Sequence, residues 1–183
     1  RVAGWDGSDY DWSSCRGAMK GWHKHGVCEE AIWPKPGRRP SSEWQYDAAL
    51  RPLGAYYRVN AKSIADMQAA IFEVNAVYCS ADVHSGWNRP KRTLRLGAEN
   101  LTLIDQHDKI EGGHAFAVVG YNRYGFIVQN SWGPGWGTNG FALLTYEDWA
   151  KNGYDAWVAA IGAPMDVSVR RGAASGSPIG SML

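Results

Sequence analysis

The sequence predicts an α+β fold, an α-rich lobe leading into a β-rich one. Three observations carry that prediction. Helical periodicity is concentrated near the start, where Ala18, Met19 and Trp22 share one face and Arg16, Lys20 and Lys24 another. From Tyr56 onward most apolar runs have the length of strands. Between Glu111 and Gly140, two such runs, residues 115–120 and 125–129, lie close enough to be adjacent strands, and a glycine-rich loop follows them.

Taken in order, residues 1–12 hold two glycines and three aspartates without apolar periodicity and read as an irregular surface segment. Ser13 and Ser14 can cap a helix over residues 15–25, and Gly26 supplies its stop. Three prolines and a glycine in residues 27–40 exclude long regular structure, leaving a loop anchored by Ile32 and Trp33. A short helix is expected at 41–50 and a strand at 56–59. Ser63 caps a further helix, with Ile64, Met67, Ile71 and Phe72 expected on its buried face. Residues 76–83 are apolar or small, as in a strand covered on both sides.

The polar stretch 85–103, with Arg89, Lys91, Arg92 and Arg95, reads as a solvated loop or hairpin. Strands follow at 140–145 and 156–161, with a helical turn at 147–152 between them. The last residues, from Val169, are small and polar and read as a tail or linker. The expected division is a remainder of an α-rich lobe at 1–55, a β-rich domain at 56–166 and a flexible tail at 167–183.

The chain of 183 residues suffices for one domain or two small lobes with a real core. A net charge of +1 gives no bulk attraction to nucleic acid or an anionic membrane, and no apolar run approaches the ~20 residues that span a bilayer. Neither is expected as a partner. Three cysteines, Cys15, Cys28 and Cys79, without a C-x-x-C pair suggest neither a disulfide framework nor a zinc site, and no metal or cofactor is expected. A reducing compartment is the simpler reading, which leans towards the cytoplasm. Because the first residue is Arg, the chain reads as a processed or partial product. Ten tryptophans and nine tyrosines fit a core built partly from amphipathic rings, or broad aromatic grooves.

Chemistry concentrates at His114 and Asn130, which adjacent strands would bring to the same end of a sheet. An asparagine carbonyl can fix a histidine's orientation and tautomer without placing a full negative charge beside it. We expect Asn130 to accept the Nδ1 proton of His114, leaving Nε2 to take a proton from a thiol. A thiolate–imidazolium pair needs only orientation from its third member, whereas a serine nucleophile usually has an aspartate there. The loop after Asn130 holds Trp132, Trp136 and four glycines and can keep water off the polar pair.

The segments GGHAFAVVGY and FIVQNSWGPGWGTNGFALL closely resemble the right-hand β domain of papain-like (family C1) cysteine peptidases, and CRGAMKGWHKHGVCEEAIWPK resembles a left-domain segment of the family's bacterial members. The likeness runs over roughly residues 13–164 and implies a papain-like fold. It makes His114 the general base and Asn130 its orienting residue. It implies that Trp132 shields their hydrogen bond, that Gly113 and Ala115 line the substrate groove, and that Trp136 is structural or groove-lining.

Two features of the family's pattern are missing. Its substrate-binding glycine pair would fall near Trp12 and Ser13 and is absent, as is the Q-x-x-x-x-x-C-G-S-C-W type segment with the oxyanion glutamine and the nucleophile. Cys15 precedes His114 by 99 residues, Cys28 by 86 and Cys79 by 35, short of the ~130–150 found in papain and cathepsins. Cys15 at a helix start is a tempting nucleophile, but the residues after it match a later helix of the family. The expectation is therefore a C-terminal part of a cysteine endopeptidase acting on peptide or protein substrates. This chain alone would be inactive, completed by an N-terminal segment of the same protein that carries the cysteine. The rival expectation is a catalytically inactive papain-like module that binds peptides or proteins.

Overall fold

The computed structural model of the protein describes residues 13–33, 41–90, 92–96 and 99–163. Expectations for residues 1–12, 34–40 and the tail lie outside the described residues. The chain divides into two units, Arg1–Ala55 with Ile161–Leu183, and Tyr56–Ala160.

In the first unit, α1 (Cys15–His25) begins where the Ser14 hydroxyl accepts the Gly17 N–H at 3.0 Å. It ends at Gly26, whose φ of 75° suits glycine. A Cβ on Gly26 would also stand 1.8 Å from the Ala48 carbonyl oxygen, so the glycine lets this turn lie directly on α2 (Trp44–Ala49). The Trp22 indole donates to the Arg51 carbonyl at 2.9 Å, and His23 Nδ1 donates to that of Leu53 at 2.9 Å. Trp33 packs edge-on against Trp44, with ring centroids 5.3 Å apart.

The second unit is built on most of an eight-stranded sheet of order β1-β8-β2-β5-β6-β7-β4-β3. β1 (Leu53–Arg58) leads to α3 (Ile64–Val74), which starts where Ser63 Oγ accepts the Asp66 N–H. Met67, Ala70 and Ile71 are buried beneath this helix, with Ile64 and Val74 packed beside them. Phe72 is not: it is 83% exposed, contrary to the sequence expectation. It lies one residue, about 100° of helix, beyond Ile71, outside the stripe that 64, 67, 71 and 74 present to the sheet.

β2 (Val77–His84) occupies the middle of the sheet between β8 (Gly153–Ile161) and β5 (Ile110–Tyr121). A bulge between Val83 and His84 ends the regular pairing with β5, and a 3₁₀ turn, Ser85–Trp87, follows. The polar stretch is a hairpin of β3 (Arg92–Leu96) and β4 (Glu99–Leu103), and Leu103 pairs in parallel with Leu143 of β7 (Phe141–Thr145). β6 (Gly125–Gln129) runs between β5 and β7. After β7, Thr145 caps α4 (Tyr146–Asn152) by accepting the Asp148 N–H at 3.1 Å.

Met67, Val77, Phe116, Val118, Phe126 and Val128 build the core of this unit around Trp149, whose indole donates to the Ala61 carbonyl at 2.8 Å. Three tryptophans, Trp87, Trp136 and Trp149, thus bring large apolar area into the core, as the aromatic content suggests.

Candidate active site

β5 is longer than the apolar run that announces it, because β2 continues to pair with it through Asp82↔Gly113 and Val83↔Gly112. His114 therefore sits within the strand, opposite Ala81, rather than ahead of it. Alternation places His114 on the face that buries Phe116 and Val118, at the point where that face reaches solvent. On β6, Gln129 pairs with Ala117, so Asn130 follows in a position opposite Phe116. His114 and Asn130 are then diagonal neighbours on one face.

That offset decides which nitrogen is used. His114 Nε2 lies 2.8 Å from Asn130 Oδ1, and the same oxygen accepts the Ser131 N–H at 2.8 Å. An amide oxygen can only accept, so Nε2 carries the proton and donates, and Nδ1 is left as the basic nitrogen. This reverses the sequence expectation of an Nδ1 bond to Asn130. With Asn130 diagonal to His114, it is the distal nitrogen that meets Oδ1.

Aromatic rings enclose the pair. Trp132 lies across His114 with centroids 4.7 Å apart and planes 36° from parallel, and it is 43% exposed. Trp87 approaches the imidazole edge-on at 6.0 Å, and Phe116 lies 4.8 Å from Trp87. Trp136 is only 5% exposed, stacked at 6.2 Å on Trp87, with its indole N–H donated to the Trp87 carbonyl at 2.6 Å. It packs beneath the site, against Trp87 and Trp132. The reason is its turn: Gly133 O accepts the Trp136 N–H and Trp136 O accepts the Gly140 N–H, which folds residue 136 inward. Gly137 makes the fold possible, with φ 56° and no room for a Cβ, which would stand 2.3 Å from the Phe141 carbonyl oxygen.

Gly113 and Ala115 are exposed on the opposite side of β5 from His114 and offer backbone and one methyl group. A Cβ on Gly113 would come 3.1 Å from the Tyr154 hydroxyl, so glycine keeps that strip open. The second unit contains one cysteine, Cys79, which has no exposure and directs its thiol at the Val77 carbonyl. Cys15 in the first unit is buried as well. None of the three cysteines is in a disulfide.

Two contributors escape sequence reading. Trp87 reads as part of a polar loop, yet it is 1% exposed and borders His114. His84 and Asp148 form a fully buried hydrogen bond of 2.8 Å. The T-x-x-D spacing of Thr145 and Asp148 is a helix-start signal that identifies the turn but not the partner. His84 is hidden because simple alternation along β2 would turn it away from Ala81, and the bulge turns it inward.

Comparison with known proteins follows from this geometry. The family model described as papain family cysteine protease matches residues 7–159. An uncharacterised peptidase C1-like protein of Acanthamoeba polyphaga mimivirus is 27% identical over 142 residues, covering 72% of this chain and 46% of the viral protein. Cathepsin K of Mus musculus is 24% identical over 123 residues, covering 65% of this chain and 36% of the cathepsin. This chain thus spans less than half the length of these curated relatives. Among solved structures, xylellain, a cysteine protease from Xylella fastidiosa, superposes with a TM-score of 0.64 at 25% identity, covering 88% of this chain and 64% of xylellain. The papain-like fold seen in the structures and the family match over most of the chain agree, and the chain belongs to the papain family of cysteine proteases.

Proposed function

We propose that this chain supplies the base and its orienting group to a Cys-His-Asn peptidase site, and that the cysteine and an oxyanion-hole glutamine belong to an N-terminal segment of the same protein. The observation that carries this reading is the His114 Nε2–H to Asn130 Oδ1 bond beneath Trp132, which leaves Nδ1 as the basic nitrogen. In the reaction, Nδ1 removes the thiol proton, and the imidazolium keeps its Nε2–H bond to Asn130. The thiolate attacks the peptide carbonyl, His114 returns the proton to the departing amine, and water hydrolyses the acyl-enzyme. Asn130 contributes orientation without a competing negative charge, and Trp132 limits water around the bond. Trp132, Gly113 and Ala115 are the residues we assign to contact with a peptide or protein substrate.

The buried state of Cys79 supports a nucleophile from elsewhere, because no thiol of the second unit reaches solvent. This chain alone is then inactive. The test treats the full-length gene product with a thiol-directed epoxide and maps the modified peptide. Labelling at a cysteine before Arg1, abolished by His114→Ala, is the expected result. A protein that stays unlabelled and still binds peptides would instead be an inactive recognition module.

A further inference from the structure

The buried His84–Asp148 pair plays no part in the reaction just described, yet it holds the segment against which His114 rests. His84 is 0% and Asp148 1% exposed, so both have left water, which is costly unless every polar atom is bonded. The bonds are there. His84 Nε2 donates to Asp148 Oδ2 at 2.8 Å, Asn152 Nδ2 donates to Asp148 Oδ1 at 2.7 Å, and the Gly86 backbone N–H donates to His84 Nδ1 at 3.2 Å. Because Nδ1 accepts, the proton of the neutral ring must be on Nε2, where the carboxylate holds it. Asp148 therefore selects the tautomer of His84 that can cap the 3₁₀ turn.

The turn has one position to occupy. A Cβ on Gly86 would stand 1.8 Å from the Asp105 carbonyl oxygen, so the backbone of residue 86 lies tight against that strand exit. The next residue, Trp87, presents its ring edge-on to His114 at 6.0 Å, while its carbonyl receives the Trp136 indole at 2.6 Å. Trp136 in turn meets Trp132 at 6.0 Å, and Trp132 lies against His114 with centroids 4.7 Å apart. A continuous set of contacts runs from Asp148 through His84 and Gly86 to both tryptophans that touch the imidazole.

We propose that His84 is a positioning residue for His114, with Asp148 fixing its tautomer: the pair locks the Ser85–Trp87 turn so that Trp87 sets where the imidazole stands. The inference rests on reading His114 as the general base. Misplacement of a reacting group by ~1 Å can cost on the order of 100-fold in rate, so loosening this support acts on turnover rather than on substrate binding.

The test uses the full-length protein with isotope-labelled histidine. His114 ring protons lie among aromatic rings, and their chemical shifts report its position independently of catalysis. In His84→Leu, which removes both bonds, the His114 ring resonances move and kcat falls about 10-fold or more with KM little changed. Asn places an acceptor near the Nδ1 position and Gln places its amide near Nε2. His84→Asn therefore recovers most of the loss and His84→Gln does not, and this pair decides the matter if the leucine variant fails to melt cooperatively. Unchanged His114 resonances and kcat in a folded His84→Leu protein, or Gln performing as well as Asn, would overturn the proposal. A wild-type protein with neither turnover nor epoxide labelling would reject the peptidase reading separately, and the ring resonances would still decide whether His84 positions His114.

Discussion

Asn130→Ala separates the catalytic from the structural worth of one side chain, and the two are expected to diverge. In the folded protein Asn130 Oδ1 takes two hydrogen bonds, from His114 Nε2 and Ser131 N, while Nδ2 is buried without a partner. Truncation removes two bonds worth about 0.5–1.5 kcal/mol each. It also removes a buried unpaired donor whose burial costs about 1–3 kcal/mol. These offset, and the net change in stability is within about 2 kcal/mol, a shift in Tm of no more than several degrees. Catalysis has no such compensation. On the proposed mechanism His114 becomes protonated, and its bond to Asn130 is then charge-assisted and worth about 1.5–3 kcal/mol. Its loss lowers kcat/KM by roughly 10- to 150-fold. Thermal melts and peptide hydrolysis by the full-length protein measure the two quantities. A variant that loses many degrees of Tm while keeping its activity would show that Asn130 is a structural residue and that the geometric reading of the pair is wrong.

Two further outcomes follow from the fold. Phe72→Lys, on the solvent side of α3, changes stability by no more than about 0.5 kcal/mol, whereas a burial role for Phe72 predicts a loss of about 3–5 kcal/mol for its removal; urea titration distinguishes the two. In the first unit, the Glu29 N–H at 2.8 Å, and then Arg51, hold the Asp47 carboxyl below the usual carboxylate range. A depressed carboxylate stabilises the folded state above its unfolded pKa, about 3.9, and that contribution is lost as pH falls through the lower folded value. The protection of the Glu29 amide against exchange, after correction for the intrinsic pH dependence of exchange and followed from pH 5 downward, should fall in that window, and Asp47→Asn should remove that fall.

How much of this was legible in the sequence depended on distance along the chain. His114 and Asn130 are 16 residues apart on consecutive strands, and their side-by-side placement needs only the β5–β6 pairing. The caps Ser14 and Ser63 are legible for the same reason, each bonding an N–H three residues ahead. Trp87 and Trp136 are 49 residues apart and His84 and Asp148 are 64 apart, and a bulge in β2 intervenes. No local pattern encodes those meetings. Phe72 escapes on a finer scale, since an apolar residue next to a helical stripe looks like part of it until the helix is set on its sheet. The choice between Nδ1 and Nε2 depends on the diagonal offset of two strands, a detail of register that composition and spacing do not contain.

The position of Cys79 sharpens the meaning of the His–Asn pair. Cys79 pairs with Phe116 and Ala81 with His114, so Cys79 sits on the same face as His114, one pleat further into the core. Sequence proximity within the sheet would make it the obvious partner for a base. Its thiol instead points at the Val77 carbonyl with no exposure, among Val77, Phe116 and Val118. No substrate carbonyl could approach that thiol without dismantling the core. Moving it two residues along β2 would not help, because that position is Ala81, also buried at 1% exposure. The side of His114 that faces the core is thus closed to any nucleophile. On the proposed mechanism its basic nitrogen can serve only a thiol arriving from the solvent side, which the second unit does not provide.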